Sequence, residues 1–360
     1  MAVTLTALTD LARLGFDDII DVRSPAEHAE DHLPGAINLP VLDDGERAEV
    51  GTIYVQESPF LARRIGAALV SRNAARHIEG ALRDRPAGWR PLVYCWRGGQ
   101  RSGAFALILS QIGWRAEVLS GGYKAWRRLV VEAVHARPVP APVVVLDGNT
   151  GSAKTELLAL LRARGVQVID LEGLANHRGS LFGAMGPQPS QKAFEGRLAM
   201  ALAALDPARP VVVEAESAKV GDLSLPASLW KAMRSAPRLA IAAPPEARAA
   251  YLARAYADLT VDAARLDAIL ESLRPWHAAE AVAQWRALAR NGAFEALAGA
   301  LMIAHYDPRY RRHRARMGAP LCEIAAPSLA PDALPALADH LARAVDETAT
   351  RTANETAHAR

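Results

Sequence analysis

Apolar residues in the first 130 positions fall into short runs separated by helical patterns. Asp18-Ile19-Ile20-Asp21-Val22, Leu92 to Tyr94 and Ala116 to Leu119 read as short, buried strands. Helical patterns lie between them, including Ser102 to Ile112. A long helical insertion from Phe60 to Leu82 carries Arg63, Arg64, Arg72 and Arg76, with Arg83 beside it. The alternation resumes with strands near Val143–Leu146, Val166–Ile169, Val211–Val213 and Arg238–Ile241. Strands and helices in alternation predict α/β layers on parallel sheets. Between the halves, Pro138, Pro140 and Pro142 form a stiff, extended spacer. The predicted organisation is a first domain over 1–137 with a helical insertion at about 41–88, a linker at 138–142, and a second domain over 143–330. Residues 331–360 read as an alanine-rich helix ending in a polar tail, Glu347 to Arg360, expected to be disordered.

A chain of 360 residues is long enough to bury two cores. No segment approaches the about 18 to 20 uninterrupted apolar residues of a membrane span, and no membrane partner is expected. The start of the chain lacks a basic stretch followed by an apolar one, so no signal peptide is expected. Two distant cysteines, Cys95 and Cys322, argue against a disulfide framework and for a reducing cytoplasm. Cys322 has no glycine loop or basic neighbours and reads as a packing residue. The net charge of +3 hides an uneven distribution. Arg309, Arg311, Arg312 and Arg314 crowd the basic segment 306–316 beside Tyr306 and Tyr310. Such a cluster suits an RNA backbone with unstacked bases, or is simply a solvated helix face.

Two segments carry chemistry. In the first, a buried strand runs into Cys95-Trp96-Arg97-Gly98-Gly99-Gln100-Arg101, and an apolar helix follows. That layout sets a thiol among backbone N–H groups at a helix N-terminus, where a thiolate is stabilised. In the second, a strand leads into Gly148-Asn149-Thr150-Gly151-Ser152-Ala153-Lys154-Thr155. It fits the G-x-x-x-x-G-K-[ST] phosphate loop except that Ala153 replaces the second glycine. Gly148, Thr150, Gly151 and Ser152 would wrap an anion with backbone N–H groups; Lys154 adds a charge, and Thr155 a hydroxyl for Mg²⁺. The alanine is tolerable in a helical conformation and costly at positive φ. Supporting carboxylates are sought at strand ends, with Glu214 and Glu216 favoured and Asp170 and Glu172 as further choices.

Asp21-Val22-Arg23-Ser24-Pro25, His32 to Asn38, the Cys95–Arg101 loop and Gly121-Gly122-Tyr123-Lys124-Ala125-Trp126 resemble the signature segments of a rhodanese domain. Its fusion to a phosphate loop resembles the tRNA 2-selenouridine synthase family over about residues 5 to 320. The second-domain strings Leu171 to Ser180, Phe194-Glu195 and Val213 to Ser217 extend that likeness. The resemblance implies an N-terminal rhodanese-like parallel-sheet domain plus a C-terminal P-loop NTPase-like parallel-sheet domain. It also implies action on wobble-position 2-thiouridine in the tRNAs for lysine, glutamate and glutamine. Geranyl diphosphate would first S-geranylate the base, and selenium from selenophosphate would then replace the geranylthio group. By this likeness Cys95 carries selenium, a selenophosphate-supplying enzyme is a partner, and no tightly bound cofactor is needed. His177 and Arg178 become further second-domain site residues. Arg97 and Arg101 could neutralise selenophosphate, since five residues between cysteine and arginine leave room for a tetrahedral oxyanion. Trp96, Tyr123 and Trp126 either stack on a base or isoprenoid or belong to the core.

Other readings stay open from sequence. A sulfurtransferase with an appended regulatory NTPase domain would turn over thiosulfate without RNA. A cysteine phosphatase would need a general acid near the loop, and none is evident. A small-molecule kinase would depend on Lys154 and be indifferent to Cys95. A non-enzymatic RNA-binding protein would depend on neither.

Overall fold

A computed structural model describes residues 2–311 and 322–358, with side chains described to Arg351. The chain divides into two compact units. One comprises Met1–Arg137 with Pro189–Ala204, the other Pro138–Gln188 with Leu205–Arg360.

The first unit is built on β1 (Ala2–Val3), β2 (Asp18–Asp21), β3 (Ile37–Asn38), β4 (Pro91–Tyr94) and β5 (Glu117–Leu119). They form one all-parallel sheet in the order β1-β5-β4-β2-β3. Every residue of β4 is buried, as a strand covered on both faces requires. Ile20, Val22, Val93, Phe105 and Leu109 pack in one core with Trp89 and Trp114, whose rings meet edge to face at 5.2 Å. The insertion folds as two helices, Asp44–Gln56 and Pro59–Glu79. A capping box between Asp43 and Glu46 starts the first, and Ser58 with a proline in the first turn starts the second.

A return of the chain to this unit was not anticipated. The sequence reading runs the second domain unbroken from 143 to 330, yet the helix Gln191–Ala203 packs on the helix Gly122–Val131. Its Glu195 accepts a hydrogen bond from Arg127 and pairs with His135, and Lys192 meets Glu30 at 2.6 Å. Phe194 is fully buried. The Phe194-Glu195 pair therefore does structural work in the first unit.

The second unit is built on β6 (Val143–Gly148), β7 (Gln167–Ile169), β8 (Val211–Glu214), β11 (Arg238–Ala242) and β12 (Cys322–Ala325). They too are all parallel, in the order β12-β11-β6-β8-β7. A separate antiparallel hairpin joins β9 (Lys219–Val220) to β10 (Leu223–Ser224). With β8 between β6 and β7, the carboxyl ends of three strands lie side by side. In open parallel sheets the crevice beyond such ends takes the ligand. Two expectations are corrected here. Cys322 is exposed at the start of the edge strand β12 rather than packed. The segment from Glu347 continues the helix Leu334–His358 instead of being disordered, its earlier turns anchored by Leu337, Leu341 and Val345 in the core. No helix among the described residues is long and apolar enough to cross a membrane.

Candidate active sites

β4 delivers Cys95 at its carboxyl end, one turn before the helix Gln100–Ile112. The sulfur is buried and accepts a hydrogen bond from Ser102 Oγ at 3.2 Å. Burial pushes the thiol up, but the Ser102 hydroxyl and the backbone N–H groups of Ser102, Arg97 and Gly99 outweigh it. The net position is below the ordinary thiol range. The loop is held in shape by backbone contact. A Cβ on Gly122 (φ +56) would stand 2.2 Å from the Cys95 carbonyl oxygen and 2.4 Å from Gly98 N. The N–H groups of Tyr123 and Lys124 donate to the carbonyls of Cys95 and Trp96 at 2.9 and 3.0 Å.

Beneath the loop lies a buried polar knot. Asp21 binds Arg23 through both carboxylate oxygens and accepts the Tyr94 hydroxyl at 2.8 Å. Tyr123 donates to Asp31 at 2.8 Å while the Arg23 guanidinium lies 4.1 Å from its ring centre. The rhodanese-like signature residues thus support the loop from below. Arg101, expected to face an oxyanion, is instead tied to Glu27 at 2.8 Å, whereas Arg97 is exposed. Trp126 is core; Trp96 is half-buried with its ring 5.2 Å from that of Tyr123.

In the second unit β6 ends in the phosphate loop and the helix Lys154–Ala163 follows. Gly148 is packed so closely that a Cβ would stand 2.2 Å from Ser152 Oγ. Gly151 has φ +85 and faces Leu252 and the Arg248 carbonyl at under-contact distance for any Cβ. Ala153 adopts φ +60, the costly case. Its methyl is buried against the core that contains Leu157 and Ile241, which offsets part of the strain. Lys154 Nζ donates to the Gly148 carbonyl at 2.9 Å, and desolvation notwithstanding, Tyr310 and three glutamates keep its pKa raised. Arg248, almost fully buried, braces the loop from behind. It donates to Thr150 O at 3.2 Å and grips Asp307 through two bonds of 2.9 and 2.8 Å.

The strand ends bring Glu172, Glu214 and Glu216 together, with one oxygen of each within 4.8 Å of the others. Thr155 Oγ1 donates to Glu172 at 2.7 Å, and the Glu172 N–H donates to Glu214 at 2.8 Å. Burial and mutual repulsion push Glu216 up to about 8 and raise Glu172 and Glu214. Gly179 (φ +66) sits against this cluster, where a Cβ would lie 2.7 Å from Glu172 and Glu216 oxygens. His177 Nδ1 accepts the Gly179 N–H at 3.1 Å, which shapes the turn, and burial lowers its pKa. Arg178 pairs with Asp258 at 2.9 Å, its guanidinium 4.8 Å from the Tyr256 ring centre. The phosphate loop, Glu172, Glu216, Arg178 and Ser180 line one open pocket, so most of the second-domain residues picked from sequence converge. Arg309 and Arg311 are exposed, Arg309 over the Trp276 ring at 5.6 Å; Arg312 and Arg314 lie outside the described residues.

Sequence reasoning missed Ser102, Arg248 and Asp307, and placed Glu172 only among further choices. The spacing of Ser102, one turn into the helix after the loop, was the available signal. Arg248 and Asp307 are 59 residues apart with no motif around either.

Comparison with known proteins follows the same division. Residues 141–268 match the family model described as tRNA 2-selenouridine synthase AAA domain, and residues 4–129 match the Rhodanese-like domain. A protein of Nitrosomonas europaea named tRNA 2-selenouridine synthase is 38% identical over 63% of this chain and 61% of its own length. One from Chromohalobacter salexigens with the same name is 39% identical, covering 67% of this chain and 65% of that protein. Another, from Aeromonas salmonicida, is 37% identical, covering 70% and 68%. The match to the first of these relatives thus spans about three fifths of its length.

Proposed function

We propose a reaction for this chain, which belongs to the tRNA 2-selenouridine synthase family: conversion of wobble 2-thiouridine in tRNA to 2-selenouridine in two steps. The observation that carries it is the pairing of two chemically distinct sites on one chain, a stabilised thiolate at Cys95 and a phosphate cradle at Lys154. In the first step the thiouridine sulfur attacks the first carbon of geranyl diphosphate and the carbon–oxygen bond breaks. Charge gathers on the leaving diphosphate, where the loop N–H groups and Lys154 stabilise it. In the second step the Cys95 thiolate attacks C2 and expels the geranylthio group, which leaves as the thiol. The selenium of selenophosphate then attacks C2 and releases the thiolate, and water cleaves the phosphorus–selenium bond to give phosphate and 2-selenouridine. The wobble base must be unstacked to expose its C2 substituent. Exposed Arg97, Arg309 and Arg311 offer charge to RNA phosphates.

The glutamate cluster fits a divalent cation. Two buried carboxylates, Glu172 and Glu214, and the half-buried Glu216 crowd each other, and the fully buried Glu214 Oε2 has no hydrogen-bond partner among the described residues. Thr155, Glu172, Glu214 and Glu216 would hold Mg²⁺, which when bound neutralises diphosphate charge. Glu172 otherwise orients Thr155, and with Tyr310, Glu216 and Glu214 it raises the Lys154 pKa.

The test is incubation with 2-thiouridine tRNA, geranyl diphosphate and selenophosphate, with nucleosides read by mass spectrometry. Cys95→Ala should stop at the geranylated nucleoside, and Lys154→Ala should leave 2-thiouridine unchanged. Accumulation of 2-selenouridine by the Cys95 variant overturns the selenium role. Thiosulfate turnover without RNA, with tRNA untouched, would favour the sulfurtransferase reading instead.

A further inference from the structure

A second cavity opens off the phosphate site within the same unit. Its closed-in volume is about 80 Å³, and counted with its open mouth the empty space reaches about 570 Å³. Thr150, Ser180, Leu252, Tyr256 and Tyr306 line both spaces, so the two share a boundary. Beyond that boundary the walls are hydrocarbon, with Phe182, Leu266, Leu297, Ala298, Leu301 and Met302 among them. Hydroxyl groups are gathered chiefly at the shared rim, where Ser180 Oγ and the Tyr256 hydroxyl stand 3.2 Å apart.

This arrangement selects among phosphate ligands. A nucleoside diphosphate would push a base, with its ring nitrogens and exocyclic groups, into walls that offer it almost no partners. Each polar group left unmet there carries its full desolvation cost. A hydrocarbon tail meets no such cost and gains from every methylene buried. The walls are drawn from several helical segments, among them Pro245–Ala255, Ala263–Glu271 and Phe294–Leu301, so a flexible chain would find hydrocarbon on more than one side.

We infer that this apolar cavity receives the prenyl tail of a diphosphate whose head rests on the phosphate loop, and that Ala298 helps to set the tail length accepted. The inference rests on the proposal that the loop takes a prenyl diphosphate, and adds where the tail lies and which wall limits it. Ala298 is suited to that role because its small side chain leaves room that a larger one would fill, and it is only half-buried, so enlargement is tolerable to the fold.

Binding of inorganic diphosphate and of dimethylallyl, geranyl and farnesyl diphosphate to the full chain, measured by calorimetry, tests it. The wild-type protein should bind geranyl diphosphate at least about tenfold more tightly than inorganic diphosphate. Ala298→Phe should erase that margin and favour the dimethylallyl compound, while affinity for inorganic diphosphate, which reports an intact loop, stays within about twofold. If the phenylalanine variant loses diphosphate binding, Ala298→Leu takes its place, with the same shift toward the shorter tail expected. A variant that binds inorganic diphosphate normally and keeps the full geranyl margin overturns the cavity assignment while leaving the proposed reaction standing. A wild-type chain that binds ATP or GTP in preference to every prenyl diphosphate overturns the prenyl reading of the loop itself, and the cavity assignment with it.

Discussion

At the scale of single residues, the thiol of Cys95, the proposed nucleophile, owes its lowered pKa to hydrogen-bond donors. Arg101, which closes the loop, is committed to Glu27, and Arg97 is exposed. Cys95 is held below the ordinary thiol range against the effect of burial by Ser102 and three backbone N–H groups. The sign for pH follows directly. The thiolate is the reactive form, so alkylation by iodoacetamide should rise with pH through a midpoint below that of an unperturbed thiol. Ser102→Ala removes the hydroxyl donor, and the midpoint should move up. At neutral pH the alkylation rate should then fall several-fold, in line with the loss of one hydrogen bond to a charged group. An unchanged midpoint in that variant would return the credit to the backbone alone. Ala153 makes the complementary point. Its departure from the phosphate-loop pattern was legible in sequence, but the sign of its effect was not, because only the backbone shows φ at +60 and the methyl in the core.

At the scale of elements, the strands that carry chemistry were the most legible parts of the chain. β4, β6 and β8 open with apolar runs because parallel strands are covered on both faces; β4 leads into Cys95, β6 ends in Gly148 and β8 in Glu214. The helix Gln191–Ala203 was not placed correctly, for a physical reason. An amphipathic helix announces that it has an inner face, but not which core that face meets. The contact made by Phe194 and Glu195 is decided by tertiary packing alone. The brace behind the phosphate loop is equally silent in sequence, since Arg248 and Asp307 come from separate helical segments. Arg248→Met should leave Asp307 without its partner and free the Thr150 carbonyl. Asp307 keeps some solvent access, so the cost is on the order of 2–3 kcal/mol rather than that of a wholly buried pair. Inorganic diphosphate should bind several-fold more weakly, while the alkylation rate of Cys95 in the other unit stays unchanged. A parallel loss in both readouts would mean that the variant unfolds the chain as a whole.

At the scale of the whole molecule, the side chains assigned to each proposed step lie within a single unit. The thiolate site draws on residues from Asp21 to Lys124, and the phosphate site on residues from Asp147 to Tyr310. In the proposed reaction their order of use is imposed by chemistry, since a geranylthio group would have to form before selenium could displace it. This division makes complementation between variants informative. Lys154→Ala retains the thiolate site, and Cys95→Ala retains the phosphate site, so neither alone should produce 2-selenouridine from 2-thiouridine tRNA. Mixed together, the two proteins should restore it after a lag that shortens as the Cys95 variant is raised, because geranylated tRNA must leave one molecule and reach another. Nucleoside mass spectrometry over time reads both the intermediate and the product. If the mixture accumulates geranylated tRNA and never 2-selenouridine, the modified base passes between the sites of a single chain without release, and two intact sites must be carried by the same polypeptide.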